Sequence, residues 1–320
     1  MVKVAMRPLK LGIFLPGFFE VVGTDGQMTA AKRWHELRAF ARQAEALGFD
    51  SLWIPDHLLF RWEGDAGPTT GGWEGWSVLA ALAADTERIE LGTLVVCTAF
   101  RNPSLLAKMA DTVDEISGGR LILCLGAGYH EPEFRAFGYP FDHRASRFEE
   151  ALTIITTLLR EGQIDFTGSY YQARDCELRP RGPRPGGPSI LVAGGMPAGP
   201  RMRRLGAQRA DLWNDWLVWG RSWPDAVPPL RQRMDESCVR VGRDPASLER
   251  TATIQVSFSG EEPGDGSAGE QPLVGTPEEL AEVFRGFARE GISHLQLVLH
   301  PGTEANLEAL APALDLLDRE

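Results

Sequence analysis

The sequence predicts an α/β protein built as one (β/α)8 TIM barrel, and three observations carry that prediction. Short runs rich in Val, Ile and Leu alternate with longer stretches of helical period, and the alternation repeats eight times. The runs are apolar along most of their length, as parallel strands covered on both faces require. With 43% hydrophobic residues, the 320-residue chain has enough apolar material for one large core spanning residues 1–320 as a single domain. A doubly wound parallel sheet is the competing architecture.

The units follow in order. LGIFLP (11–16) precedes a helix over 30–47, whose apolar positions Trp34, Leu37, Phe40, Ala41, Ala44 and Leu47 share a face. Gly48 stands where a helix-ending glycine belongs. SLWIPDH (51–57) precedes a helix over 74–84, and IELGTLVV (89–96) precedes one over 103–117 that Gly118-Gly119 closes. LILCLG (121–126) precedes an amphipathic helix over 143–161, and SILVAGG (189–195) a helix over 198–209. DLWNDW (211–216), TATIQVSF (251–258) and HLQLVLH (294–300) precede helices over 225–242, 277–290 and 304–318. Two stretches exceed an ideal barrel. In 163–188, DFTGSYYQA predicts a small hairpin and an arginine- and proline-rich strip follows it. Residues 259–273 are polar and glycine-rich and read as a surface loop.

A formal net charge of -11 argues against general nucleic-acid binding and against anionic membranes. MVKVAMRPLK is too short and interrupted for a signal peptide and no apolar run reaches membrane length, so a cytoplasmic protein is expected. Cys97, Cys124, Cys176 and Cys238 lack metal or redox spacing, and Cys97 and Cys124 read as buried thiols.

In a barrel, chemistry sits at the C-terminal ends of the strands. Those positions are Pro16 to Phe19, Asp56-His57, Cys97 to Phe100, Gly126 to Glu131, Ala193 to Met196, and Trp213, Asn214 and Trp216. They gather glycine, aromatic and polar residues on one face, as a ligand site would. The Gly-Ala-Gly of CLGAGYHEPEFRAFG (124–138) is weak evidence alone, because such a pair also serves plain turns. His57 is the candidate acid or base, against the plainer reading of a core histidine; Asp56 reads as a structural anchor. Gly194-Gly195 before a helix offers backbone N–H groups to an anion. Arg201, Arg203 and Arg204 lie on that helix and read as a solvated face. HExxH, GxSxG and Walker motifs are absent, no GxGxxG follows the first strand, and no metal site is expected. The few lysines fall outside strand ends, which counts against lysine-based lyases. Trp53, Trp62, Trp73 and Trp76 cluster in sequence and could wall a flat or greasy ligand.

Residues 86–141, with AEALGFDSLWIPDHLL (44–59), PSILVAGG, ADLWN and VGTPEELAEVFRGFAREGISHLQLVL (274–299), resemble the bacterial luciferase-like flavin monooxygenase superfamily. Its members use FMN or the deazaflavin coenzyme F420. The resemblance implies a barrel with an insertion after a late strand, a homodimer, and a cofactor ring across the mouth. It implies that Gly126, Ala127, Gly128, Tyr129 and His130 wall the cofactor, that Ala193, Gly194, Gly195 and Met196 hold its phosphate, and that His57, beside Asp56, faces ring and substrate. Val96, Cys97, Thr98 and Ala99 match a stretch under the ring that often carries a bulge or a non-prolyl cis peptide. Ala127 replaces the phosphate-holding arginine of the luciferases proper, which favours F420. Tyr129 replaces the glutamate of the sugar-phosphate dehydrogenases, which argues against glucose 6-phosphate. The expectation is hydride transfer with F420 or, as the rival, oxygenation with FMN fed by a separate reductase, on a small, hydrophobic organic substrate. In the oxygenase version the tryptophan loop and residues 163–188 act as a lid. A barrel that binds cofactor without turnover is the alternative.

Overall fold

The computed structural model describes residues 7–16, 21–22, 28–29, 32–61, 69–194, 199–218, 222–258 and 272–319. Eight parallel strands close into a barrel: β1 Lys10–Phe14, β2 Ser51–Ile54, β3 Glu90–Thr93, β4 Leu121–Gly126, β5 Ser189–Ala193, β6 Leu212–Trp216, β7 Glu249–Ser257 and β8 Ile292–His300. Each pairs with the next in order, and β8 pairs with β1 through Lys10↔His294 to Ile13↔Leu297. The closure excludes the doubly wound alternative.

Eight helices cover the outside: α1 Trp34–Ala46, α2 Gly75–Asp85, α3 Pro103–Ser117, α4 Arg144–Glu161, α5 Pro200–Arg209, α6 Val227–Arg240, α7 Pro277–Arg289 and α8 Glu304–Leu317. Their limits follow local chemistry. Asn102 caps α3 by accepting from the amides of Ser104 and Leu105, Pro103 suits the first turn, and Gly118 ends it at φ 67°. In α1, Leu37, Phe40, Ala41 and Ala44 are buried as the spacing predicts, while Trp34 stays 40% exposed.

Strand parity divides the core in two. Leu11, Ile13, Leu52, Ile54, Leu295 and Leu297 point outward to the helices. Each such side chain contributes about 1.5–3 kcal/mol on burial, so the sheet–helix layer holds the fold. Trp53, Leu94, Ile122, Cys124, Leu191 and Leu212 fill the lumen instead. The other arc of the lumen is polar. Asn214 donates to Thr251 Oγ1 and Gln296 Oε1, both at 2.9 Å. Trp53 Nε1 donates to Ser51 Oγ, which shares a hydrogen bond with His294 Nε2, each at 2.7 Å. Burial pushes the His294 imidazole down to about 3, so it sits in the lumen neutral.

The third strand is not the single run read from sequence. It breaks at a cis peptide between Leu94 and Val95 and resumes as Val96–Cys97, so the cis bond lies just ahead of the stretch where one was expected. A two-turn helix, Glu131–Phe137, was not legible as an element. The 163–188 segment lies between α4 and β5. Its hairpin pairs Gln163–Thr167 with Gln172–Glu177, and Glu150 of α4 accepts from the amides of Ser169, Tyr170 and Tyr171 at the tip. The strip that follows is bolted to α3. Arg181 meets Asp111 at 3.2 Å, and Arg184 meets buried Asp114 at 2.6 Å, level with the first residue of β4. That end lies away from the strand C termini, while the hairpin tip lies against the N-terminal half of α4. Of the loop expected over 259–273, residues 259–271 lie outside the described residues; Leu273 returns to pair beside Val256 of β7. No described helix is long and apolar enough to cross a membrane.

Candidate active site

The loop after β2 places Asp56 and His57 at the mouth, and they face different ways. Asp56 is 3% exposed and turns inward. Arg101 meets it with two nitrogens, at 2.6 and 2.9 Å, and the Cys97 amide donates to it at 3.1 Å. Burial pushes the Asp56 carboxyl up, against the pull of Arg101. Burial also works against the Arg101 charge, but hydrogen bonds and charge from Asp56 and Glu74 win and raise it. Glu74 pairs with Arg101 and caps α2 through the amides of Trp76 and Ser77. Asp56 is therefore a bracket joining β2, β3 and α2, and its carboxylate is spent inside the protein.

His57 instead meets Glu133, from the two-turn helix. Its Nδ1 lies 3.0 Å from Glu133 Oε1, while the Leu58 amide donates to Glu133 Oε2 at 2.9 Å. Glu133 is 1% exposed. With both carboxylate oxygens accepting, Nδ1 donates, and in the neutral ring Nε2 is the nitrogen left with the lone pair. The Tyr129 hydroxyl stands 3.4 Å from that Nε2. His57 packs at 4.6 Å between ring centroids on Phe60, which stacks on buried His130 at 4.4 Å. His130 Nε2 accepts from the Arg61 amide at 3.1 Å.

The Gly-Ala-Gly turn has a steric cause. A Cβ on Gly126 would lie 2.5 Å from Val95 Cγ2. One on Gly128, at φ 73°, would lie 2.6 Å from both Cys97 Sγ and Phe134 Cζ. Arg144 fixes the Gly128 carbonyl at 2.8 Å. Ala127 is partly buried against the core, and Tyr129 stands half exposed. Val96, Cys97 and Thr98 are buried, with Thr98 Oγ1 donating to the Gly126 carbonyl at 3.2 Å; Ala99 is half-buried. Burial pushes the Cys97 and Cys124 thiols up, in line with their reading as inert. Ala193 packs on the lumen cluster and Gly194 follows it, while Gly195 and Met196 lie outside the described residues.

The structure thus brings His57, Tyr129 and His130 together and joins the Val96–Ala99 stretch to the Gly126–Gly128 turn. The tryptophans do not form one wall. Trp53 is in the lumen, Trp76 is buried in α2, Trp73 is 51% exposed and donates to the Lys32 carbonyl, and Trp62 lies outside the described residues. Arg201 and Arg204 both pair with Glu149 of α4. Sequence reading missed Phe60, and it placed Glu131 and Glu133 near the glycine turn without their side-chain directions or a role. The available signal was a pair of carboxylates, Glu131 and Glu133, directly after the glycine turn.

A closed parallel barrel with a carboxylate-held histidine at its mouth defines the class of site, and comparison with known proteins narrows it. Residues 9–263 match the luciferase-like monooxygenase family model, and the chain belongs to that family. It is 34% identical over 227 residues, 68% of this chain, to an F420-dependent glucose-6-phosphate dehydrogenase of Intrasporangium calvum. It is 32% identical over 253 residues, 75% of this chain, to the pyrimidine monooxygenase RutA of Cronobacter turicensis. Each alignment covers 63% of the relative, so the chain spans a little under two thirds of these curated relatives. Among solved structures, an F420-dependent secondary alcohol dehydrogenase with an F420–acetone adduct superposes with a TM-score of 0.77 at 18% identity, covering 98% of this chain and 100% of that one. A riboflavin lyase with modified FMN also gives 0.77, at 17% identity over 97% of this chain and 91% of that one, and these likenesses support the fold.

Proposed function

We propose that the protein is a luciferase-like oxidoreductase that binds F420 or FMN at the barrel mouth, with hydride transfer involving F420 favoured. The observation that carries this reading is the His57–Glu133 pair, a buried carboxylate holding one imidazole nitrogen so that the other faces the mouth. An apolar floor at the mouth supports a flat heteroaromatic ring. Phe14, Val95, Ala193 and Trp216, at or near strand ends, pack partly buried on the lumen cluster and make an apolar floor beside that pair. When bound, such a ring supplies hydride or oxygen chemistry. The protein's own part is to orient the substrate, exclude water, and accept or return a proton at His57 Nε2. Ala127, where the luciferases proper have arginine, supports F420. The aligned dehydrogenase is named for F420 use and the lyase structure for FMN, so both cofactors belong in the test. Candidate cofactor contacts are the 96–99 stretch, the turn from Gly126 to His130, and the residues from Ala193 to Met196. A homodimer, a cytoplasmic setting and, in the FMN version, a partner reductase belong to the same proposal.

The test is a titration of the purified protein with F420 and FMN, each oxidised and reduced. Micromolar or tighter binding of F420 is expected. His57→Ala should then leave cofactor affinity within a few-fold and lower F420-linked oxidation of small alcohols by roughly 100-fold. Binding of neither cofactor would end the proposal, and unchanged turnover would remove His57 from it.

A further inference from the structure

Polar side chains in the lumen of this barrel are largely bonded to one another across β6, β7 and β8, through Asn214, Thr251, Thr253 and Gln296. Gln296 Nε2 is left over within that network, and Ser257 stands outside it. It is 2% exposed, and its Oγ has no hydrogen-bond partner among the described residues. A buried hydroxyl left in this state is costly.

Strand parity fixes where it points. Thr251 and Thr253 reach lumen partners, so Gln255 and Ser257 continue the same face of β7 toward the mouth. Ser257 is the last residue of β7 and is in register with His300, the last residue of β8. His300 lies four positions beyond lumen-facing Gln296 and is half-buried. Round the closed ring β7 is three strands from β2 and β8 is two, so Ser257 and His300 lie on a different arc of the mouth from His57. On this arc the lumen-facing positions from Thr253 on β7 and Gln296 on β8 carry no lysine, arginine or carboxylate.

We propose that Ser257 Oγ, beside His300, is a specificity subsite that hydrogen-bonds a second, neutral oxygen of the substrate, a hydroxyl or carbonyl remote from the carbon that reacts beside His57. The inference rests on the mouth being the oxidoreductase site. It places the substrate among small compounds carrying two oxygen functions, and it disfavours a phosphate or sulfonate at the second position, because the described lumen-facing residues of this arc include no lysine or arginine, and His300 is the one side chain among them that can take a positive charge. That adds a second polar function to the small hydrophobic substrate expected from composition.

The test uses protein loaded with whichever of F420 or FMN binds, and three probes followed by calorimetry: trans-1,4-cyclohexanediol, cyclohexanol and cyclohexyl phosphate. The wild type should bind the diol about 10-fold more tightly than cyclohexanol, the worth of one hydrogen bond, and gain nothing from the phosphate. Ser257→Ala should abolish the preference, and Ser257→Thr, which keeps the hydroxyl, should restore it, with thermal melting showing that both fold. If a cofactor binds but the diol is not preferred, or Ser257→Ala keeps the preference, the subsite is wrong while the oxidoreductase reading stands. Tightest binding of the phosphate also overturns the subsite. If neither cofactor binds, the reading of the mouth falls and the subsite falls with it.

Discussion

At the scale of single residues, the mouth depends on which nitrogen of His57 carries the proton, and Glu133 sets that. Glu133→Gln keeps shape and volume but can donate its own N–H to Nδ1, which would leave the proton on Nε2 instead. We expect cofactor affinity to hold and turnover to fall roughly 10- to 1,000-fold, with a displaced pH–rate profile. A variant with the wild-type profile would show that Glu133 only fills space. His57 was legible in the sequence because it directly follows an apolar run, and strand ends in a barrel are exposed to ligand. Glu133 was not, because the aim of Glu131 and Glu133 depends on the phase of a two-turn helix that seven residues cannot announce. Glu131 points to Arg135 at 2.9 Å, and Glu133 points inward. The tryptophans misled for the same reason: neighbours in sequence are sent to different layers by strand parity and helix phase.

At the scale of elements, the Asp56–Arg101–Glu74 bracket holds three of them in register at the site. Arg101 is 11% exposed and Asp56 1% by side chain, so removing one partner strands a buried charge. Arg101→Met should cost about 3–5 kcal/mol of stability in urea denaturation, and adding Asp56→Asn should recover more than half of that loss. Additive losses would mean that the pair is not coupled. Helix limits were the most legible feature, since Asn102-Pro103 and Gly118-Gly119 frame α3 with signals that act locally. The break in β3 was illegible, because IELGTLVV reads as one uninterrupted apolar strand and nothing local marks the cis bond.

At the scale of the molecule, pH acts through two groups of opposite sign, the half-buried Asp215 and the buried His294. Burial pushes the Asp215 carboxyl, which accepts from Trp213 Nε1 at 3.0 Å, up from 3.8 to about 6. A raised folded value gives stability that is full below about pH 4 and lost as pH rises through 6. His294, pushed down from 6.5 to about 3, does the reverse: its contribution is full above 6.5 and lost as pH falls toward 3. Between pH 4 and 6 the two oppose, which flattens the wild-type curve. Asp215→Asn keeps an acceptor for Trp213 and removes one side of that balance. Relative to wild type it should gain about 1–3 kcal/mol between pH 4 and pH 7, read from melting temperatures across that range. A constant difference would show that Asp215 titrates alike in both states. The barrel itself was legible because eight repeats of one pattern leave few topologies. The polar arc of its lumen was not, because which strand residues face inward is set only once the ring closes.

The clearance around Gly126 and Gly128 has a bearing on redesign. Those two positions lack room for even a methyl group, so the glycine turn on the β3–β4 arc of the mouth is closed to side-chain replacement at both glycines. Libraries meant to alter what this protein accepts should leave that arc alone and draw their diversity from the opposite rim, at Trp216, Gln255, Ser257, Val298 and His300.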